Sequence, residues 1–105
     1  MSSIRTWIDS VIQKTPVVVF SKTYCPYCTK AKNTLKNLIT NSNIIIYELD
    51  EMDNGNEIQN ALSFTGATSV PRVFVGGKFI GGGDDTVAKA KSGELQKLIA
   101  NALEK

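Results

Sequence analysis

The sequence predicts an α/β domain built on a four-stranded mixed sheet with helices on both faces. Two short apolar, largely β-branched runs, "VVVF" and "IIIYELD", are separated by a helical pattern. Strands joined through a helix lie parallel with a right-handed crossover. Further along, a Gly-Gly pair divides "VFVGGKFI" into the arms of a hairpin, which adds an antiparallel pair. Helical periodicity occupies both ends of the chain.

Each element has its own justification. Ile4, Trp7, Ile8, Val11 and Ile12 recur at the spacing of one helix face, so Trp7 reads as core rather than as a ligand contact. Thr15-Pro16 ends that helix, because proline disfavours helical geometry in the residue before it. Val17 to Phe20 fits a strand buried on both faces. A second helix follows "SKTYCPYC", with Cys28, Ala31, Leu35, Leu38 and Ile39 in phase, and Asn41-Ser42-Asn43 closes it. Ile44 to Asp50 is another buried strand, and "EMDNGN" is a turn. A third helix runs from about Glu57 to Phe64 with Ile58, Ala61 and Leu62 inward. Val73–Val75 and Lys78–Ile80 are the hairpin arms. "DDTVAKAK" opens a fourth helix from an Asp cap, Ser92-Gly93 breaks it, and Leu95, Leu98, Ile99, Ala102 and Leu103 mark the last. The order α-β-α-β-α-β-β-α-α is a thioredoxin-like arrangement.

Composition narrows the function. The 105 residues read as one domain, 1–105, with a formal charge of +2. So small and scattered a charge points to neither nucleic acid nor a membrane surface as a partner. No apolar run approaches the roughly 20 residues that span a bilayer. The N-terminus lacks an apolar block followed by a small-residue cleavage site. With two cysteines in the chain, a reducing setting, the cytoplasm, is expected. Nothing in the sequence argues against a monomer.

Both cysteines, Cys25 and Cys28, lie in "FSKTYCPYCTKAK", and there is no histidine. A structural zinc site takes four ligands, of which one Cys-x-x-Cys supplies two. A structural staple is weak too, since closing so short a loop removes little unfolded-state entropy. The redox reading fits the local geometry. The pair sits where a strand ends and a helix begins, with Pro26 acceptable in the first helical turn. Unsatisfied N–H groups and the helix dipole there favour thiolate over thiol, and Lys22 and Lys30 add positive charge. Cys28, one turn further in, should be more buried and less acidic. Cys25 then attacks a disulfide sulfur and Cys28 resolves the mixed disulfide.

These residues resemble the dithiol glutaredoxins. "CPYC" is similar to their active site, and the likeness continues through "EIQNAL", "TGATSVPRVFVGGKFIGGGDD" and "SGEL", so it covers nearly the whole chain. The resemblance implies a reductase of glutathione mixed disulfides and protein disulfides. Glutathione is then the electron-donating co-substrate, with no tightly bound cofactor. It implies a cis bond before Pro71 and pairing of the Val70 backbone with glutathione. It further implies that Lys22 and Gln59 reach the glycyl end, and that Tyr27 lines the groove. Gly82 and Gly83 allow close backbone approach, and Asp84 and Asp85 hold the γ-glutamyl end.

The chain departs from the family in places. Ser69 stands where a threonine is usual and keeps the hydroxyl. The segment from Gln59 to Thr65 is one residue shorter, which bears on where Gln59 points. Arg72 has two readings, attraction of the tripeptide's carboxylates or a place in solvent. Some glutaredoxins bridge a [2Fe–2S] cluster between subunits. In the family the cluster binders carry Gly or Ser where this chain has Pro26, and the rigid ring disfavours the shift that a cluster needs.

Overall fold

A computed structural model of the chain describes residues 3–104. Five helices and four strands follow the expected order: α1 (Ser3–Lys14), β1 (Val17–Ser21), α2 (Pro26–Lys36), β2 (Ile44–Glu48), α3 (Gly55–Ala61), β3 (Arg72–Val75), β4 (Lys78–Gly81), α4 (Gly83–Ser92) and α5 (Glu94–Leu103). The sheet order is β2-β1-β3-β4. β1 and β2 are parallel with Val17 opposite Ile44, while β1 and β3 are antiparallel with Val17 opposite Val75. The β3–β4 hairpin turns through Gly76 and Gly77, both at positive φ.

Alternation along β1 divides the core into two layers. Val17 and Val19 pack with Ala31, Leu35, Ile39, Leu95 and Ile99 on the side of α2 and α5. Val18 and Phe20 pack with Ile8, Ile12, Ile58, Leu62 and Phe74 on the side of α1 and α3. Each fully buried side chain of this size is worth about 1.5–3 kcal/mol relative to exposure. Trp7 lies in the second layer, edge-on to Phe20 and Tyr47.

Four expectations need correction. β2 is an edge strand and only partly buried, because β1 covers one of its sides and no strand covers the other. The second helix stops at Lys36 rather than running to Ile39. The Asn37 and Leu38 N–H groups tighten onto Asn33 and Leu35, so Ile39 reaches the core from outside the helix. The third helix ends at Ala61 and passes into a tighter turn, Leu62–Thr65, which Gly66 closes at φ +82°. The fourth helix is capped by Gly82, not by an aspartate; Asp84 and Asp85 stand in its first turn. There they complement the helix dipole, as Lys89 and Lys91 do in its last turn.

Candidate active site

Cys25 occupies the N-cap of α2 and Pro26 its first turn. The Cys28 backbone N–H donates to the Cys25 sulfur at 3.2 Å, so the sulfur satisfies a donor that the helix start would otherwise leave open. Cys25 is partly exposed, Cys28 fully buried, and both are free thiols. Burial pushes the Cys28 thiol up to about 11. The neighbouring Cys25 adds to the rise, while hydrogen bonds from the Lys22 backbone and the Ser21 hydroxyl oppose it. The expected asymmetry of the pair is therefore present in its burial.

Beside the pair runs a groove of about 310 Å³ lined by Tyr27, Ala67, Ser69, Val70, Pro71 and residues 82–85. The Val70–Pro71 bond is cis, and the Val70 carbonyl oxygen lies 3.9 Å from the Cys25 sulfur. Asp84 is exposed and pairs with Lys30 at 3.4 Å, and the Lys30 ammonium also stands 5.5 Å from the centre of the Tyr27 ring. Asp85 turns back to accept from the Gly82 N–H at 3.1 Å, which ties off the start of α4. Gly83 is buried where two helices meet. A Cβ there would meet the Tyr27 carbonyl oxygen at 2.7 Å, so glycine lets α4 press against the cysteine motif itself.

Two expected contacts stand outside the groove lining. Lys22 is half-buried, with its ammonium 6.0 Å from the centre of the Tyr24 ring. Gln59 accepts from an Arg72 guanidinium nitrogen at 3.2 Å and donates to the Thr68 carbonyl at 3.4 Å. Arg72 does not take the place in solvent that one of its two readings gave it. It is 2% exposed, and its other terminal nitrogen donates to the Ala67 carbonyl at 2.6 Å.

One functional residue escaped the sequence reading. Asp50 accepts from the Thr23 N–H at 3.0 Å and from its hydroxyl, and so anchors the loop that leads into Cys25. The Thr23 hydroxyl holds the Asp50 carboxyl below the ordinary carboxylate range. The signal lay in the parallel register. Val17 opposes Ile44, 27 positions on, and Thr23 and Asp50 are separated by the same 27 positions just past the strand ends. A larger hollow of about 420 Å³, lined by Ile4, Trp7, Met52 and Asn54, contains no nucleophilic or ionisable side chain among those lining residues.

The comparisons agree with this geometry. The family model described as Glutaredoxin matches residues 17–80. A glutaredoxin of Ricinus communis is 48% identical over 98 residues, 92% of this chain and 94% of that protein. The crystal structure of oxidized glutaredoxin 2 from Chlamydomonas reinhardtii is 45% identical and superposes with a TM-score of 0.89, covering 96% of this chain and 94% of that one. A buckwheat glutaredoxin–glutathione complex is 36% identical with a TM-score of 0.89, over 96% of this chain and 91% of that one. With a buried and a partly exposed thiol at one helix start, beside a groove walled by a cis-proline loop, the chain belongs to the glutaredoxin family and is a thiol-disulfide oxidoreductase.

Proposed function

We propose that the chain reduces glutathione mixed disulfides and protein disulfides with glutathione as electron donor, Cys25 as nucleophile and Cys28 as resolving thiol. The observation that carries the reading is the unequal burial of the two sulfurs. Cys25 is reachable from the groove and receives an N–H donor, whereas Cys28 is enclosed and holds its proton to about 11. A nucleophile in exchange must be an accessible thiolate.

The steps balance without a separate base. The Cys25 thiolate attacks the glutathionyl sulfur of a mixed disulfide, that S–S bond breaks, and the target leaves as a thiolate that takes up a proton. A second glutathione, as thiolate, attacks the glutathionyl sulfur now bound to Cys25. Glutathione disulfide leaves and Cys25 returns as thiolate. With a protein disulfide, Cys25 forms a mixed disulfide with the target. Cys28 then attacks the Cys25 sulfur, its proton passing to the departing target thiolate, and two glutathione molecules reduce the resulting Cys25–Cys28 disulfide and leave as glutathione disulfide.

The groove supplies binding. The Val70 N–H and C=O are suited to pair with the peptide backbone of glutathione, like the edge of a sheet. Asp84, exposed at the helix start, can accept from the γ-glutamyl ammonium, and the first N–H groups of α4 suit its carboxylate. Lys22 is the cation for the glycyl carboxylate. Kinship to the protein of the buckwheat glutathione complex supports this assignment.

The test is turnover of a glutathione mixed disulfide, with glutathione reductase coupling the reaction to NADPH consumption. Wild type and Cys28→Ser should turn over, and Cys25→Ser should not. An inactive but folded Cys28→Ser protein would contradict the monothiol route.

A further inference from the structure

Arg72 is the largest side chain among the fully buried ones. No carboxylate pairs with it among the described residues, and its Nε has no hydrogen-bond partner there. A guanidinium out of water is ordinarily matched by an anion, because an uncompensated buried charge is costly. Here burial has instead lowered its pKa. What the side chain does hold is backbone. Alternation along β3 sends Arg72 to the same face as Phe74, towards α3. There it donates to Gln59 of α3 and to the Ala67 carbonyl, while the other end of the Gln59 amide donates to the Thr68 carbonyl. Two consecutive carbonyls of the segment from Ala67 to Val70 are thus fixed by one pair of side chains. That segment has no regular structure of its own, lines the groove through Ala67, Ser69 and Val70, and brings the Val70 carbonyl within 3.9 Å of the Cys25 sulfur.

We propose that Arg72 is a positioning residue for the exchange reaction. With Gln59 as its second arm, it fixes the Ala67–Val70 backbone in the form that pairs with the substrate's peptide backbone. This rests on the reading of the groove as the glutathione site. The pairing involves atoms that do not react, so it contributes equally before and at the transition state. Loosening it raises KM and leaves kcat in place, whereas a residue that only stabilises the fold would lower the active fraction and hence kcat.

The test uses Arg72→Met and Arg72→Lys in the full chain, read by backbone NMR order parameters and by steady-state kinetics on a glutathione mixed disulfide. Backbone order parameters at Thr68 to Val70 should fall from about 0.85 towards about 0.6 in a folded Arg72→Met protein, with β1 unchanged. KM should rise about fivefold with kcat within about twofold of wild type. Arg72→Lys keeps the charge and most of the length, but a single ammonium cannot span Gln59 and Ala67 as the fork does. It should move both readouts in the same direction, by less. If Arg72→Met fails to fold, the same two readouts on Arg72→Lys decide the matter. Wild-type order parameters in the loop, or a fall in kcat at unchanged KM, overturn the proposal. The order-parameter readout involves no glutathione, so a wild type without glutathione turnover would refute the function while leaving the loop result legible.

Discussion

Replacing Gly83 with alanine probes the closest backbone approach in the active site, and Gly82→Ala beside it is the control. Gly83 begins α4, and a Cβ there would lie 2.7 Å from the Tyr27 carbonyl oxygen and 3.1 Å from the Tyr27 Cβ. Carbon and oxygen ordinarily meet no closer than about 3.3 Å, so the helices must separate by roughly 0.6 Å. The carbonyl belongs to the first turn of α2 and cannot rotate away. Overpacking of this kind costs about 1–3 kcal/mol, against at most about 1 kcal/mol that alanine gains over glycine in a helix. The net loss, about 1–2 kcal/mol, corresponds to roughly 5–15 °C in Tm for a domain of this size. Gly82 differs by one position only. Its φ is −99° and its nearest neighbour would be the Pro71 carbonyl oxygen at 3.4 Å, an ordinary contact. That substitution should cost no more than about 0.5 kcal/mol, the weaker cap preference of alanine. Thermal unfolding followed by circular dichroism separates the two. Because Tyr27 and Gly83 both line the groove, KM for a glutathione mixed disulfide should rise with Gly83→Ala as well. If Gly83→Ala melts within about 2 °C of wild type while Gly82→Ala melts lower, the steric account is wrong.

Three other outcomes are expected. The folded protein keeps the Cys28 proton to about 11, against an ordinary 9.0, so stability is fully present below pH 9 and is lost as pH rises towards 11. Denaturant midpoints should fall more steeply across that window for wild type than for Cys28→Ser, and parallel curves would refute the assignment. Asp50→Asn weakens the anchor on Thr23 and should lower kcat/KM about three- to tenfold by loosening the loop into Cys25; an unchanged value would remove Asp50 from the positioning set. Anaerobic reconstitution with iron, sulfide and glutathione should leave the protein colourless, because Pro26 fixes the first turn of α2. Visible absorption beyond that of protein would overturn that use of the proline.

What the sequence displayed and what it concealed divide along physical lines. Element order was legible because each element carries its own periodicity, as Ile4 to Ile12 do on α1 and Val17 to Phe20 on β1. The cysteine pair and the groove loop were legible because they lie in short, contiguous motifs. Helix ends were less so: Leu38 and Ile39 keep helical phase, yet the chain has already tightened after Lys36. Long-range polar partners were the least legible. Arg72 carries a charge, which argues for solvent, and only the position of α3 across the sheet shows that Gln59 and the Ala67 carbonyl receive it. The packing of Gly83 was equally hidden, since only the fold brings the Tyr27 carbonyl against it.

The proposed division of labour between the thiols rests on backbone geometry rather than on dedicated catalytic groups, which suits a chain without histidine. A residue at an N-cap stands outside the helix with its side chain over the open N–H groups. The residue three positions on already has helical geometry and presents its own N–H to that cap. Two cysteines with two residues between them therefore cannot share one environment here. Cys25 receives the Cys28 N–H and lies beside the groove-lining Val70, while Cys28 is buried on the same helix as Ala31 and Leu35. Exchanging the roles would require moving the helix start, not merely altering the neighbouring charges. For the same reason, the features that fix the helix start govern the chemistry. Pro26 sets the first turn, Asp50 holds the loop before it, and Gly83 admits α4 against it. None of the three need touch the transferred sulfur, yet each bounds how far the Cys25 sulfur can move relative to the Val70 backbone, where the proposed function seats the substrate.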